Sequence, residues 1–220
     1  MPARRALDWY ADAMRLWRRG PATFSGIALV ILAGNIALAF VPLAGILLAQ
    51  VLLPLLECGL LYASLAADRG ERPRLRHLIA VAGAPPRALA AVVVAGVIVF
   101  ATEALVAQAV GGFNMLAPGS NAESVSPATL VATYAAGIAV SLPLTFVPFA
   151  ALFDGTGFRD TFGQSGAAFA RNAAPLLLYG ALSFALLMLG LATSGIGLVL
   201  ALPWSAAASY IAWKDIFGLA

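Results

Sequence analysis

Six apolar stretches of about 20 residues dominate this sequence, and they restrict what the chain can fold into. They are 22–41, 44–66, 88–110, 128–153, 175–193 and 196–213. A helix of about 20 residues is needed to cross a hydrocarbon layer of about 30 Å, and each stretch is close to that length. The chain of 220 residues is 62% hydrophobic and only 10% charged, whereas soluble domains carry about 25% charged residues. The sequence therefore predicts an all-α polytopic membrane protein with six transmembrane helices.

All the basic residues fall in segments that an even number of spans places on one side of the membrane. They are Arg4, Arg5, Arg15, Arg18, Arg19, Arg69, Arg72, Arg74, Arg76, Arg87, Arg159, Arg171 and Lys214. The connections on the other side contain Glu123 as their one charged residue. Because positively charged loops stay in the cytoplasm, this asymmetry predicts that both termini are cytoplasmic (N-in, C-in). A wrong number of spans would have scattered arginines on both sides.

An amphipathic segment precedes each pair of apolar stretches. The three segments are 4–19, 72–85 and 158–172. In the first, Leu7, Tyr10, Met14 and Trp17 recur at helical spacing with arginines on the opposite side, a pattern typical of a helix lying in the membrane interface. Each segment ends at a proline that leads into an apolar stretch. We interpret all three as interfacial lead-in helices.

The apolar stretches group into three helical hairpins within a single membrane domain, residues 1–220. The hairpins are 22–66, 88–153 with an outer loop at 111–127, and 175–213. The second helix of each hairpin contains a proline and ends at an aspartate. These pairs are Pro54 with Asp68, Pro143 with Asp154, and Pro203 with Asp215. The fourth stretch is also long enough to bend at Pro143 or Pro148. The pattern predicts an internal repeat of one module.

Three segments carry a resemblance to a known family. They read WYADAMRLWRRGPATF, FVPFAALFDGTGFRDTFGQSGAAFARNAAPLLLYG and YIAWKDIFG. The chain resembles an uncharacterised family of small six-span inner-membrane proteins, mostly from proteobacteria. It is more distantly similar to the membrane portion of some glycerophosphodiester phosphodiesterases. The resemblance implies a multi-pass protein of the bacterial inner (plasma) membrane, and it implies no activity, substrate or catalytic residue. The soluble phosphodiesterase domain is lacking, so that activity is not implied either.

Polar side chains within the apolar stretches form one candidate site. Glu57 and Glu103 lie inside predicted spans, and Asn35 and Gln50 fall at a depth similar to that of Glu103. An ionisable group in the bilayer is costly and indicates function by default. The functional interpretation of the four residues is a site that handles protons or cations, or a pocket for a polar substrate. The sequence favours the other interpretation, that these groups hydrogen-bond one another and hold the helices together.

The cytoplasmic arginines form a second candidate site, for anionic lipid headgroups. The residues proposed to contact lipid are Arg15, Arg18, Arg19, Arg72, Arg74 and Arg76. Their position beside apolar stretches favours lipid over nucleic acid as a partner. His77 and Cys58 are the single histidine and cysteine, so no metal-binding cluster is expected. No phosphate-binding loop, dinucleotide fingerprint, nucleophile elbow or CxxC motif occurs, and we expect neither a cofactor nor a catalytic site.

Three functional hypotheses follow. The favoured one is a non-enzymatic accessory, scaffold or regulatory protein that acts through lipid, another membrane protein or a second copy of itself. It predicts a closed bundle with few ionisable groups inside. The second is a small transporter or channel, which predicts that Asn35, Gln50, Glu57 and Glu103 converge on a water-accessible cavity. The third is a lipid-modifying enzyme, for which the cytoplasmic aspartates, His77 and arginines are the candidates.

Overall fold

A computed structural model describes residues 1–41, 43–116 and 125–219, and this part of the chain is helical without strands. The helices are α1 (Arg5–Trp17), α2 (Pro21–Ala39), α3 (Ala44–Asp68), a 3-10 helix (Leu75–Gly83), α4 (Pro86–Gly111), α5 (Pro127–Ser141), a 3-10 turn (Leu142–Leu144), α6 (Val147–Leu152), α7 (Phe158–Arg171), α8 (Ala173–Ala192) and α9 (Leu198–Phe217). Glu123 and the middle of the predicted outer loop lie outside the described residues. The all-α prediction is confirmed.

Five helices of the described chain are long and apolar enough to cross a membrane. They are α2, α3, α4, α5 with its 3-10 turn, and α8. The predicted sixth span corresponds to α9, which has 20 residues but is not among the five. Its last turn carries Lys214 and Asp215, and serines and tryptophans dilute its apolar character. Helix α9 packs against α1, α2, α3 and α8, so it is enclosed by protein and need not be apolar on every side.

The predicted fourth stretch, 128–153, is interrupted in its second half. Helix α5 ends at Ser141, the 3-10 turn follows, and α6 begins at Val147. Pro143 lies in the 3-10 turn and Pro148 is the second residue of α6, and each lacks the N–H that a continuous helix needs. The buried hydroxyl of Ser165 on α7 accepts a hydrogen bond of 3.1 Å from the Phe146 N–H and donates one of 2.7 Å to the Pro143 carbonyl. One side chain thus supplies hydrogen bonds to the interrupted backbone.

The buried face of α1 differs from the predicted stripe. Its buried residues are Ala6, Trp9, Tyr10, Ala13 and Leu16. Leu7 is 54% exposed, and Met14 and Trp17 are half-buried. The predicted stripe shares only Tyr10 with this buried face, and its contact with the membrane interface stays a prediction. Helix α1 packs against α9, and the Trp9 indole on this face donates a hydrogen bond of 2.8 Å to Asp215 of α9.

Five helices form a closed ring, because α3, α4, α5, α8 and α9 pack in that order and α9 returns to α3. Helix α2 lies outside the ring, against α3 and α9. The approach of α3 to α4 is close, since a Cβ at Gly96 would stand 2.6 Å from the Cγ of Pro54. The remaining short helices pack on the ring: α1 on α9, the 3-10 helix on α3, and α7 on the 3-10 turn and α6.

Candidate functional site

A cavity of about 520 Å³ lies inside the helix ring and is lined by α3, α4, α5, α6, α8 and α9. This volume is within the range of small-molecule binding sites, about 300–1,000 Å³. Most of the wall is apolar, with side chains such as Leu53, Val92, Leu142 and Leu202. Pro148 and Phe149 contribute to it from the interrupted helix. We call this space the central cavity.

Three of the four predicted cluster residues line the central cavity: Gln50, Glu57 and Glu103. Gln50 and Glu57 come from α3, two turns apart, and Glu103 comes from the neighbouring helix α4. Glu57 has an exposed side chain although it lies within the bundle. Within the described residues, neither carboxyl group makes a hydrogen bond or an ion pair that meets ordinary geometry.

Asn35 does not join this cluster, and that part of the prediction is wrong. It lies on α2, outside the ring, and its side chain is exposed. Residues at a similar depth on two helices need not meet, because α2 packs on the side of α3 that faces away from the cavity. The sequence predicted how deep each polar residue lies along its span, whereas the order of helix packing decided which of them meet.

Glu103 is seated against α5. A Cβ built on Gly137 would lie 2.7 Å from the Cδ and from the Cγ of Glu103. Gly137 is buried, and the glutamate side chain occupies the space that any larger residue at this position would need. The missing side chain at position 137 therefore gives the Glu103 carboxyl its place in the cavity wall.

Hydroxyl groups line the part of the cavity formed by α8, α9 and the end of α5. They are Ser141, Thr145, Tyr179, Ser183, Ser205 and Ser209. Ser141 and Ser209 each donate a 2.8 Å hydrogen bond to a carbonyl of their own helix, and Thr145 donates to the Ser141 carbonyl at 3.1 Å. Their oxygen lone pairs remain available as acceptors. In the sequence, Tyr179 and Ser183 are four residues apart, as are Ser205 and Ser209. This helical spacing puts each pair on one face of its helix, but by itself it indicates only a packing face.

Helix α1 is attached to the cavity wall through Tyr10. The Tyr10 and Ser183 hydroxyls share a hydrogen bond of 2.7 Å, and the ring of Tyr10 stacks on Tyr179 with centroids 5.7 Å apart. The indole N–H of Trp204 donates to the Tyr10 carbonyl at 2.9 Å. Burial raises the pKa of the Tyr10 hydroxyl above its ordinary value, so it stays a neutral hydrogen-bonding group.

Two of the three aspartates that end the second helices are ion-paired. Asp215 accepts two hydrogen bonds from Arg5, at 2.7 and 2.9 Å, and one of 2.8 Å from the Trp9 indole. The hydrogen bond from Arg5, with that from Trp9, holds the pKa of Asp215 below its ordinary value against the opposing effect of burial. Asp68 accepts from Lys214 at 2.7 Å and from the Tyr210 hydroxyl at 3.0 Å. These pairs fasten α1 and α3 to the end of α9.

The arginines expected to contact lipid come from two segments that pack together. A Cβ at Gly20 would lie 3.1 Å from the Cγ of Pro73, and the Thr23 hydroxyl donates to the Pro73 carbonyl at 3.2 Å. All six side chains are exposed: Arg15, Arg18, Arg19, Arg72, Arg74 and Arg76. Arg15 pairs with Asp12, and Arg19 donates to the Ala67 carbonyl at the end of α3. The other four make no ion pair among the described residues.

His77 has a local structural role. Its Nδ1 accepts a hydrogen bond of 3.1 Å from the Arg74 backbone N–H and so caps the start of the 3-10 helix. Burial, followed by the charge of Arg76, lowers the pKa of this imidazole, which favours the neutral form that the cap requires. No group of three or more His, Cys, Asp or Glu side chains suited to a metal ion occurs in the described ranges.

Comparison with protein-family models, curated proteins and solved structures finds no match to this chain. The resemblance noted from the sequence therefore stays a prediction.

Proposed function

We propose that this protein is a small transporter or channel that passes a polar or charged solute through the central cavity. The observation that carries the proposal is the position of Glu57 and Glu103, two carboxyl groups without a partner among the described residues, on one cavity within a bundle of apolar helices. If these groups served only to hold helices together, they would be expected to hydrogen-bond each other or Gln50. The cost of placing them in the membrane interior is instead consistent with contact to water or to a solute.

The interrupted helix supports the same function. The 3-10 turn and the start of α6 contribute Leu142, Leu144, Thr145 and Pro148 to the cavity wall. Irregular backbone at membrane depth is tolerated where it is buried in protein or lines a cavity. Solute sites of membrane transporters are commonly formed by discontinuous helices.

The other two hypotheses receive less support. A scaffold that acts through its surface requires no internal cavity with ionisable groups. A lipid-modifying enzyme requires free polar groups in a cleft at headgroup depth. A depression of about 310 Å³ lies between α1, α3 and α9, but its four aspartates are all in ion pairs: Asp8 and Asp215 with Arg5, Asp12 with Arg15, and Asp68 with Lys214. They are thus engaged in structural pairs and not free for chemistry.

We further propose that α9 is a sixth transmembrane helix, with its spanning part at 196–213, and that both termini are cytoplasmic in a bacterial inner membrane. Its position against α1, α2, α3 and α8 accounts for its lower apolar content. Three hairpin modules then follow as α2 with α3, α4 with α5 and α6, and α8 with α9. The even number of spans keeps every basic residue on one side.

We also propose anionic lipid headgroups as partners of the arginines beside Gly20 and Pro73. Each arginine near a membrane surface contributes about 1 kcal/mol to attraction by anionic lipid. Replacing Arg72, Arg74 and Arg76 by glutamine should weaken retention of phosphatidylglycerol, measured by native mass spectrometry of the purified protein. Equal retention by the variant and the parent protein would contradict a lipid role for these residues.

Cysteine accessibility tests the proposed function. In a Cys58→Ala background, Ser205→Cys places a thiol in the central cavity, and Leu105→Cys places one on the outer side of α4, where the native side chain is 71% exposed. A cationic, membrane-impermeant methanethiosulfonate should modify the first in proteoliposomes but not the second, since a thiolate forms in water and not in lipid. Absence of modification of Ser205→Cys from both sides of the membrane would rule out a water-accessible pathway.

A further inference from the structure

We propose that the solute is an organic cation with an apolar body, such as a lipophilic amine or quaternary ammonium compound. This inference rests on the proposed function and names the chemical class of the solute. It is argued from the charge, the hydrogen-bonding capacity and the shape of the central cavity.

The charge of the cavity wall favours a cation. Glu57 and Glu103 line the cavity, and no Lys, Arg or His lies among the described residues that line it. An anion in this space would meet two carboxyl groups without any compensating positive charge. A cation would supply the partner that both carboxyl groups lack.

The hydrogen-bonding groups also favour a cation or a donor. The hydroxyls of Ser141, Thr145 and Ser209 donate to backbone carbonyls, so they offer lone pairs to the cavity and not protons. The lining groups left to donate are the Gln50 amide and the Ser205 hydroxyl, which makes no hydrogen bond among the described residues. A solute rich in acceptors would find few donors here, whereas an ammonium group would find several acceptors.

The size and apolar wall of the cavity favour an organic cation over a metal ion. A bare metal cation needs several oxygen ligands at about 2.0–2.6 Å and binds best in compact polar sites. The central cavity is about 520 Å³ in volume and its wall is largely aliphatic. The aromatic ring of Tyr179 also lines it, and aromatic rings attract organic cations through their π-electrons.

The test uses two ions of nearly equal size and shape but opposite charge, tetraphenylphosphonium and tetraphenylborate. The full-length protein in nanodiscs is equilibrated with each ion by dialysis, and empty nanodiscs correct for partition into lipid. Tetraphenylphosphonium should bind saturably, and tetraphenylborate should not. Equal binding of the two ions, or binding of tetraphenylborate alone, would overturn the proposal.

Three variants assign the binding to the cavity. The double variant Glu57→Gln with Glu103→Gln should weaken tetraphenylphosphonium binding by at least about tenfold, which corresponds to about 1.4 kcal/mol. Val99→Phe, one turn from Glu103, leaves both carboxyl groups in place and should weaken binding by reducing the cavity. Glu71→Gln, which removes an exposed carboxyl group outside the cavity, is the matched control and should bind as the parent protein does. Unchanged binding in the double variant and in Val99→Phe would show that the cation binds elsewhere.

The outcomes separate this inference from the proposed function. If Ser205→Cys is modified but tetraphenylphosphonium does not bind, the pathway is retained and the organic-cation class is wrong. If tetraphenylphosphonium binds but Ser205→Cys is not modified, the cavity is a binding site and the proposed transport is wrong. If neither result is obtained, both proposals fail.

Discussion

The carboxyl end of Glu103 on α4 occupies the space beside Gly137 on α5 that a side chain at position 137 would fill. A Cβ there would stand 2.7 Å from the Glu103 Cδ, well inside van der Waals contact. The Glu103 carboxyl group can therefore occupy this position only because residue 137 is a glycine. The relationship links the packing of α4 on α5 to the chemistry of the central cavity.

Gly137→Ala should displace the Glu103 carboxyl and weaken tetraphenylphosphonium binding several-fold. The displaced atoms are the end of a flexible side chain, and alanine favours a helix over glycine by about 1 kcal/mol, so the melting temperature should change little. Gly34→Ala in α2 is the matched control, because no atom lies within 4 Å of a Cβ there. It should leave binding unchanged. Binding by Gly137→Ala equal to that of Gly34→Ala would show that the Glu103 position is unimportant.

Ser165→Ala should destabilise the protein by about 1–3 kcal/mol, because it leaves the buried Phe146 N–H without an acceptor. Ser64 is an equally buried serine, at 0% exposure like Ser165, but its hydroxyl donates only to the Leu60 carbonyl of its own helix. Ser64→Ala should therefore cost about 0.5 kcal/mol or less. Thermal unfolding in detergent measures both changes. Equal melting temperatures for the two variants would argue against a special role for Ser165 at the helix interruption.

Asp215→Ala and Asp215→Asn should separate the ion pair from the hydrogen bond to Trp9. Alanine leaves the indole N–H of Trp9, which is 1% exposed, without a partner and should cost about 1–3 kcal/mol. Asparagine retains an oxygen acceptor and should cost less. The Arg5 contribution itself is expected to be about 1 kcal/mol or less, since the Arg5 side chain is 46% exposed and solvent screens such pairs.

The same ion pair predicts a dependence on pH. The pKa of Asp215 is lowered in the folded protein, so its stabilisation is complete above the unfolded pKa of about 3.9 and is lost as the pH falls through the lower folded value. The difference in melting temperature between the parent protein and Asp215→Asn should therefore shrink as the pH falls from about 5 to about 2. Asp8→Asn, which alters a 60% exposed carboxylate beside Arg5, serves as the control. A difference that is constant with pH would contradict a charged Asp215.

Labelling of two introduced cysteines, one before α9 and one after it, tests whether α9 is the sixth span. In the Cys58→Ala background, Ala192→Cys lies at the end of α8 and Leu219→Cys lies just beyond α9. If α9 crosses the membrane with both termini in the cytoplasm, an impermeant maleimide added to intact cells with a permeabilised outer membrane should label only the first. Both should react after lysis. Labelling of Leu219→Cys in intact cells would contradict the proposed topology.

The sequence predicted the helices because an apolar stretch of membrane-spanning length has few structures open to it other than an α-helix. Candidate spans α2, α3, α4 and α8 closely match the predicted stretches. The interruption of the fourth stretch was also indicated, since Pro143 and Pro148 remove backbone donors. The face of α1 that packs on α9, with Ala6, Trp9, Ala13 and Leu16, was not apparent from the sequence, because periodicity shows that a helix has two faces but not which neighbour covers them.

From the sequence alone, Glu57 and Glu103 were identified as candidate site residues, because they lie inside predicted spans without a basic residue at similar depth. Their convergence on one cavity, and the exclusion of Asn35 from it, were decided by the packing order of the helices. That order depends on contacts between residues far apart in the chain, such as Gly96 with Pro54 and Gly137 with Glu103. Each close approach depends on the shapes of two helix surfaces, so the sequence of one segment alone cannot predict it. Local composition determined the helices, and tertiary packing decided where their few polar side chains meet.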